Sequence, residues 1–374
     1  MPGIYLHIPY CRKACHYCDF HFSTNLKNKT AMVGAIVQEL HIRKDYFQGE
    51  EIKTIYFGGG TPSLLEENEL QKILETIHQL FSVNSLAEIT MECNPEDLST
   101  EKLKFLKQAG INRLSIGIQT FNNDILQFLN RAHNADEAIY AVKNAKSLGF
   151  ENITIDLMYA LPNSTLETLQ HDLELATSLD VPHISAYCFT LEEKTVFGKW
   201  EKKKIILKNS DETEQAHYHL LTSHLKTNDF EQYEISNFAR NERYSKHNSA
   251  YWMGEQYLGI GPGSHSFDGT NRAWNISNNA IYIEKLNAGT LALETETLSN
   301  KDRINEAILI QLRTKWGLDL SKIKDELGHD LLAEKIAIIE KLNTNRLIEV
   351  KDSKMYLTEE GKLLADGIVL ELML

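Results

Sequence analysis

The chain has 374 residues and a formal net charge of −13. That length buries a hydrophobic core without disulfide or metal staples, and that charge argues against a protein that coats nucleic acid, whose phosphates need clustered Lys and Arg. No apolar run approaches the roughly 20 residues that span a bilayer, and no basic-then-apolar leader opens the sequence, so the cytosol is the expected compartment. Three of the five cysteines fall at positions 11, 15 and 18. Where thiols stay reduced, such a cluster means metal or redox chemistry rather than a disulfide frame.

Runs rich in β-branched and aromatic residues predict strands at 4–8, 54–57, 88–92, 113–119, 153–161 and 183–189. Stripes of helical period lie between them: Val33, Ile36, Val37 and Leu40; then Leu70, Ile73, Leu74 and Ile77; then Leu166, Leu169, Leu173 and Ala176. Ser99 is a plausible N-cap, Ser164 with Glu167 has capping-box spacing, and Gly110 and Gly149 sit where helices should stop. Strand alternating with helix predicts parallel strands with crossover helices, and six units fit an incomplete (β/α)6 barrel better than a closed eightfold one. Cys11, Gly59, Glu92, Gln119, Asp156 and Thr190 all fall at or near strand ends, the edge on which α/β folds build their sites.

The barrel is expected over residues 1–235, and an irregular connecting region rich in Asn, Gly and Ser over 236–297. A winged-helix-like domain over 298–374 has helices, then a hairpin near 347–358, then a last helix. Its basic residues do not outnumber its acidic ones, so a packing or lid role suits it better than DNA binding.

Cys11, Cys15 and Cys18 have the spacing C-x3-C-x2-C directly after the first strand. Three thiolates on one loop can each reach a different iron of a [4Fe–4S] cubane. Such clusters normally have four Cys ligands, so one iron would stay open. A structural zinc would need a fourth ligand from His7, His16 or His21, and no second cysteine pair follows. Inert buried thiols fit poorly with Arg12, Lys13, His16 and Asp19 around them. The glycines of Gly58-Gly59-Gly60-Thr61-Pro62 allow close backbone approach and are expected to leave N–H and C=O groups free for a ligand. Glu92 and Gln119 are polar groups at strand ends, Arg131 offers a two-pronged clamp for a carboxylate, and Asp156, in an apolar strand, needs a partner.

The cysteine spacing, with Tyr17 before the third cysteine, resembles the radical S-adenosylmethionine (SAM) superfamily. The resemblance implies a radical-SAM barrel whose open iron is chelated by SAM, with reductive cleavage to a 5′-deoxyadenosyl radical. More narrowly, Tyr5 to Cys11, Gly58 to Pro62, Glu92 with Asn94-Pro95, and Gly117 to Thr120 resemble the oxygen-independent coproporphyrinogen III oxidase family. That likeness implies SAM contacts from Tyr5, Tyr17, Gly59, Gly60, Thr61, Glu92, Gln119, Arg131 and Asp156. Two departures point to its sister group, the HemW haem chaperones: Phe20 stands where the oxidase has a further cysteine, and strand one begins a few residues after Met1, without the oxidase's N-terminal arm. His247-Asn248-Ser249-Ala250-Tyr251-Trp252 fits the H-N-x-x-Y-W pattern linked to haem in that group.

An imidazole is a good haem-iron ligand, and Tyr251 and Trp252 offer faces to a porphyrin; the plain alternative is a structural loop with His247 bonded to backbone. Gly259 to Gly263 reads as a bend shaping a pocket, because Pro262 interrupts any dinucleotide fingerprint. The resemblance implies haem and an acceptor apo-haemoprotein, soluble or membrane-associated, as partners. The competing enzyme reading is oxidative decarboxylation of coproporphyrinogen III.

Overall fold

In the computed structural model, which describes residues 1–374, six strands pair in parallel and in chain order. They are β1 (Gly3–Ile8), β2 (Ile52–Gly59), β3 (Val83–Cys93), β4 (Arg113–Gln119), β5 (Asn152–Tyr159) and β6 (His183–Cys188). Crossovers run through α1 (Lys29–Ile42), α2 (Glu67–Leu80), α3 (Thr100–Gln108), α4 (Asn123–Phe128), α5 (Ala135–Ser147) and α6 (Leu166–Ser178). Ser99 caps α3 by accepting from Lys102 N–H, and Gly110 and Gly149 adopt φ of 93° and 82° just past helix ends, a region that favours glycine. The cap of α6 differs from expectation. Thr165 and Thr168 form the capping box one residue later, which turns Leu166 outward to 43% exposure while Leu169, Leu173 and Ala176 stay buried.

The strands alternate with period two. Ile55, Phe57, Met91, Leu114, Ile116, Ile153, Ile155 and Ile184 belong to the main apolar core. The intervening residues are polar and bond to one another inside the curved sheet. Tyr56 donates to Glu92, Ser115 to Asp156, and Arg113 to Thr154. The barrel interior is thus a largely hydrogen-bonded polar layer, in which Thr90 Oγ1 and Arg113 Nε stay without a partner.

The sheet grows at both edges. After α7 (Val196–Lys202) and α8 (Asp211–Thr227), β7 (Glu231–Glu234) and β8 (Asn237–Ala239) add antiparallel to β6. The stretch 236–297, expected to be irregular, instead carries most of the other extension: α9 (Lys246–Trp252), β9 (Tyr257–Ile260), β10 (His265–Phe267), β11 (Asn271–Asn275), α10 (Asn279–Asn287) and β12 (Leu293–Thr297). Its strands are three to five residues long and broken by Gly and Asn, so composition hid them. β9 pairs in parallel with β1, which places β1 inside a 12-stranded sheet.

Residues from Ile304 to Leu372 form a separate apolar cluster. Here α11 (Asn300–Gln311) precedes a small sheet of β13 (Leu318–Asp319), β15 (Lys354–Leu357) and β14 (Ile348–Lys351), with helices between and after, in winged-helix order. Polar contacts dock it on the barrel edge: Lys315 Nζ donates to Glu231 at 2.8 Å and Lys362 Nζ to Gln232 at 3.0 Å. No helix of the structure is long and apolar enough to cross a membrane.

Candidate functional site: two cavities with a shared wall

Cys11, Cys15 and Cys18 line one cavity of about 360 Å³ at the C-terminal edge of the strands, with Tyr17, Gly59, Gly60, Thr61, Glu92, Gln119, Arg131 and Asp156. Strand-end logic therefore brings most of the expected residues together. Thr190 does not join them; its hydroxyl bonds Glu192 on an exposed loop. Tyr5 faces a neighbouring, larger cavity.

The three thiols are free, and no three His, Cys, Asp or Glu side chains converge on a single-ion site. A zinc ion would require such convergence, whereas a cubane spreads its thiolates over separate irons. Burial pushes the Cys11 thiol up to about 11 and Cys18 up to about 12. Ligation needs thiolates, and cationic and hydroxyl donors are at hand: Arg131 Nη1 donates to Cys15 Sγ and Thr61 Oγ1 to Cys11 Sγ, each at 3.4 Å. The donor set fits a [4Fe–4S] cluster.

The glycine run differs from expectation. Gly59 N–H donates to Glu92 Oε2 at 3.1 Å and Gly60 N–H to the Ile8 carbonyl at 3.0 Å, so both amides are already engaged. The glycines are needed for space instead. A Cβ on Gly60 would lie 2.7 Å from the Tyr10 carbonyl oxygen, and one on Gly59, whose φ is 109°, would lie 2.6 Å from the His7 ring. Arg131 also differs. Its Nη2 donates to Asn94 at 2.8 Å and Gly117 O at 2.7 Å, and Nη1 to Cys15 and to Tyr17 OH at 3.5 Å, while buried Nε has no partner. A two-pronged clamp on a carboxylate would have to exchange the long Nη1 contacts.

Glu92 accepts from Tyr56 OH at 2.8 Å as well as from Gly59. Burial, reinforced by the nearby Asp156 carboxylate, pushes Glu92 up to about 7 against those hydrogen bonds. Burial likewise raises Asp156 to about 6, opposed by the Ser115 hydroxyl. Both carboxyls are poised to ionise when a cationic or hydroxyl-bearing ligand arrives. Gln119 has φ 74° at a bulge in the β4–β5 pairing, strained backbone of the kind that gathers at functional sites.

The larger cavity, about 720 Å³, shares Phe20, Glu92 and Tyr187 with the first. His247 enters it from the opposite end of the barrel. It lies on the first turn of α9; its N–H donates to Glu88 Oε1 at 3.1 Å, and its Nδ1 pairs with Thr54 Oγ1 at 2.8 Å. The imidazole stacks on Tyr56 with ring centroids 5.0 Å apart, and more distantly on Tyr5 at 6.4 Å. Burial, then the nearby Arg113 guanidinium, lowers its pKa to about 3. Neutral His247 therefore presents an Nε2 that makes no hydrogen bond within the protein. Tyr251 and Trp252 line the same cavity edge to face, 5.2 Å apart. The bend at Gly261–Gly263 shapes one side: fully buried Glu39 accepts from Gly261 N–H at 2.9 Å and from Asn275 Nδ2 at 2.7 Å, and pairs with buried Arg43 at 3.4 Å.

Residues 5–176 match the radical SAM superfamily and 298–364 the HemN C-terminal domain. Heme chaperone HemW of Bacillus subtilis is 36% identical over 371 residues, which cover 98% of each chain. The chain belongs to the HemW family of radical SAM proteins. A second HemW relative, from Lactococcus lactis, is 34% identical over 97% of this chain and 95% of its own. HemW of Escherichia coli is 38% identical over 270 residues, covering 70% of this chain and 69% of that one. Coproporphyrinogen III oxidase (HemN) of Escherichia coli superposes with a TM-score of 0.86 at 24% identity, covering 100% of this chain and 90% of that one, a likeness of fold. For this HemW-family member, radical SAM membership implies a [4Fe–4S] cluster and SAM.

Sequence reasoning missed Arg113, which is 1% exposed and donates to Thr154 at 2.7 Å. It lies near enough to influence Glu92, Asp156 and His247. Its signal was present: an Arg opening the apolar-alternating run Arg113-Leu114-Ser115-Ile116 must point into the interior, where only a partnered charge is tolerated. Tyr56 and Tyr187 were missed for the same reason.

Proposed function

We propose that this HemW-family member holds haem in the larger cavity and hands it to an acceptor apo-haemoprotein, with SAM and a cluster on Cys11, Cys15 and Cys18 next door. The observation that carries this reading is the aromatic-lined cavity of about 720 Å³ into which neutral His247 offers an unbonded Nε2. That volume lies within the range typical of small-molecule sites, and neutral imidazole is the form that ligates iron. Tyr56, Tyr5 and Trp252 supply porphyrin-packing faces.

In the smaller cavity, Glu92 and Asp156 would take an ammonium and ribose hydroxyls, while Tyr17, Gly59, Gly60, Thr61, Gln119 and Arg131 would complete the SAM contacts. Tyr5 would reach SAM only from the far side of Gly58. When bound, the cluster supplies the electron for reductive cleavage of SAM. The protein's own part is to exclude water, keep the cysteine loop in place through Arg131, and hold Glu92 and Asp156 close to their ionisation point.

The enzyme alternative has its own support. The overall fold matches the oxidase, and the shared wall of Phe20, Glu92 and Tyr187 would set a tetrapyrrole in the larger cavity beside the cysteine site. One experiment separates the two. Protein with an anaerobically reconstituted cluster receives SAM, a reductant and coproporphyrinogen III, and is titrated in parallel with haem. We expect haem to bind near one per chain, His247→Ala to weaken it about tenfold or more, and no protoporphyrin to form. Protoporphyrin at many turnovers would establish the oxidase reading; an unchanged titration of the His247 variant would remove His247 from the haem site.

A further inference from the structure

Resting on the haem reading, we infer that Arg272 is the anchor for a carboxylate of the bound tetrapyrrole, fixing which edge of the macrocycle enters the larger cavity. Arg272 on β11 is the one Lys or Arg among the residues lining that cavity. Its guanidinium is held still before any ligand arrives. Nε and Nη2 grip the two oxygens of Glu306 from α11, the second at 2.9 Å, and Nη1 donates to Tyr257 OH at 2.9 Å. A guanidinium carries five N–H donors, so two remain free. The side chain is only 19% exposed, in a setting where an ion-assisted hydrogen bond is stronger than in open water.

A contiguous aromatic strip runs along the cavity from Trp252 to Arg272: Trp252 packs on Tyr251, Tyr251 lies 5.5 Å from Tyr257, and Tyr257 bonds Arg272. Haem carries two carboxylates on one edge of an otherwise apolar disc. Placing that edge toward Arg272 gives its carboxylate a rigid cation, leaves the apolar remainder for Tyr5 and Tyr56, and keeps the iron for His247 Nε2. The other orientation would bring the carboxylates toward Glu92 and Asp19, where like charges repel; the third lining carboxylate, Glu255, is paired with the Met1 ammonium.

The test compares haem with its dimethyl ester, in which both carboxylates are capped, in optical titrations of the wild-type protein, Arg272→Leu and His247→Ala. We expect the wild type to bind haem roughly tenfold to a hundredfold more tightly than the ester, the worth of a hydrogen bond to a charged group, and Arg272→Leu to erase most of that gap by weakening haem alone. Equal affinity of the wild type for the two ligands overturns the proposal without any variant, and so does a gap that survives in Arg272→Leu. Because that variant strands Glu306, the double variant Arg272→Leu/Glu306→Leu repeats the measurement with both charges removed. If His247→Ala weakens both ligands while Arg272→Leu changes neither, the anchor falls and the haem reading stands. If both variants leave both titrations unchanged, the larger cavity is not the haem site and the two fall together.

Discussion

The cysteine cavity is made of strand ends and the loops that leave them, with every wall contributed between Cys11 and Tyr187. The larger cavity is assembled from remote pieces: β1, the loop near Phe20, helix α9, the bend at Gly263 and Arg272 on β11. In the first, Glu92 is tied to Tyr56 and Asp156 to Ser115 on the next strand, and Arg131 to Asn94 and the Gly117 carbonyl. The second depends on a few long-range ties, chiefly Glu39 to the Gly261 bend and His247 to Thr54 and Glu88. A chain that must keep one ligand in fixed geometry and release another would profit from that division, with Phe20, Glu92 and Tyr187 as the only common wall.

The separation can be broken by experiment. The largest effect is expected from Cys15→Ala, which should abolish the brown cluster absorbance after anaerobic reconstitution while leaving the haem titration intact. Loss of both would mean that the cavities are one unit, and an unchanged spectrum would remove Cys15 from the ligand set. Next, Glu39→Ala leaves the buried Arg43 guanidinium unpaired, which costs about 3–5 kcal/mol. Denaturant unfolding should register that loss. Below its transition the variant should bind haem more weakly yet still take up a cluster; equal damage to both would contradict the local role of Glu39.

A subtler test uses the shared wall. Glu92 titrates near 7 in the folded chain against roughly 4.3 when unfolded. Between those values the folded state holds a proton that the unfolded state has released, so the stability contributed by protonated Glu92 is present at low pH and is lost as pH rises through about 7. Glu92→Gln should remove this slope and make the ligand-free protein more stable than the wild type above pH 7, by on the order of 1–3 kcal/mol. It should also weaken SAM binding. Parallel pH–stability curves for the two proteins would show that the carboxyl is not held protonated.

Much of the barrel was legible because its signals are local. Strand 113–119 was read to the residue, the other five first-half strands differ only at their ends, and the cysteine spacing needed no tertiary knowledge. The polar interior was less visible because Asp156 was taken as a lone carboxylate in an apolar strand. The run Ile153-Thr154-Ile155-Asp156-Leu157 in fact alternates, and reading that period in all six strands would have gathered Arg113, Ser115, Thr154, His183 and Ser185 at once. The larger cavity was hidden for a different reason. His247 could be singled out by its motif, but that it meets Thr54 near the start of β2 and Glu88 midway along β3 depends on where α9 returns, which no local pattern records. Gly59, Gly60 and Arg131 show the remaining gap: residue types were right, yet which of their donors stay free is decided only by neighbours.

The pairing of β1 with β9 also bears on how the chain is made. Gly3 to Leu6 lie against Tyr257 to Ile260, so the partner of the earliest strand leaves the ribosome about 250 residues later, tens of seconds at ordinary synthesis rates of roughly 5–20 residues per second. Throughout that interval the cysteine loop and its five neighbouring strands can assemble, but β1 keeps one row of backbone donors and acceptors unpaired, an edge open to other nascent strands. Cluster insertion can therefore precede completion of the sheet, whereas the compartment that contains His247 comes into being only when β9 zips onto β1.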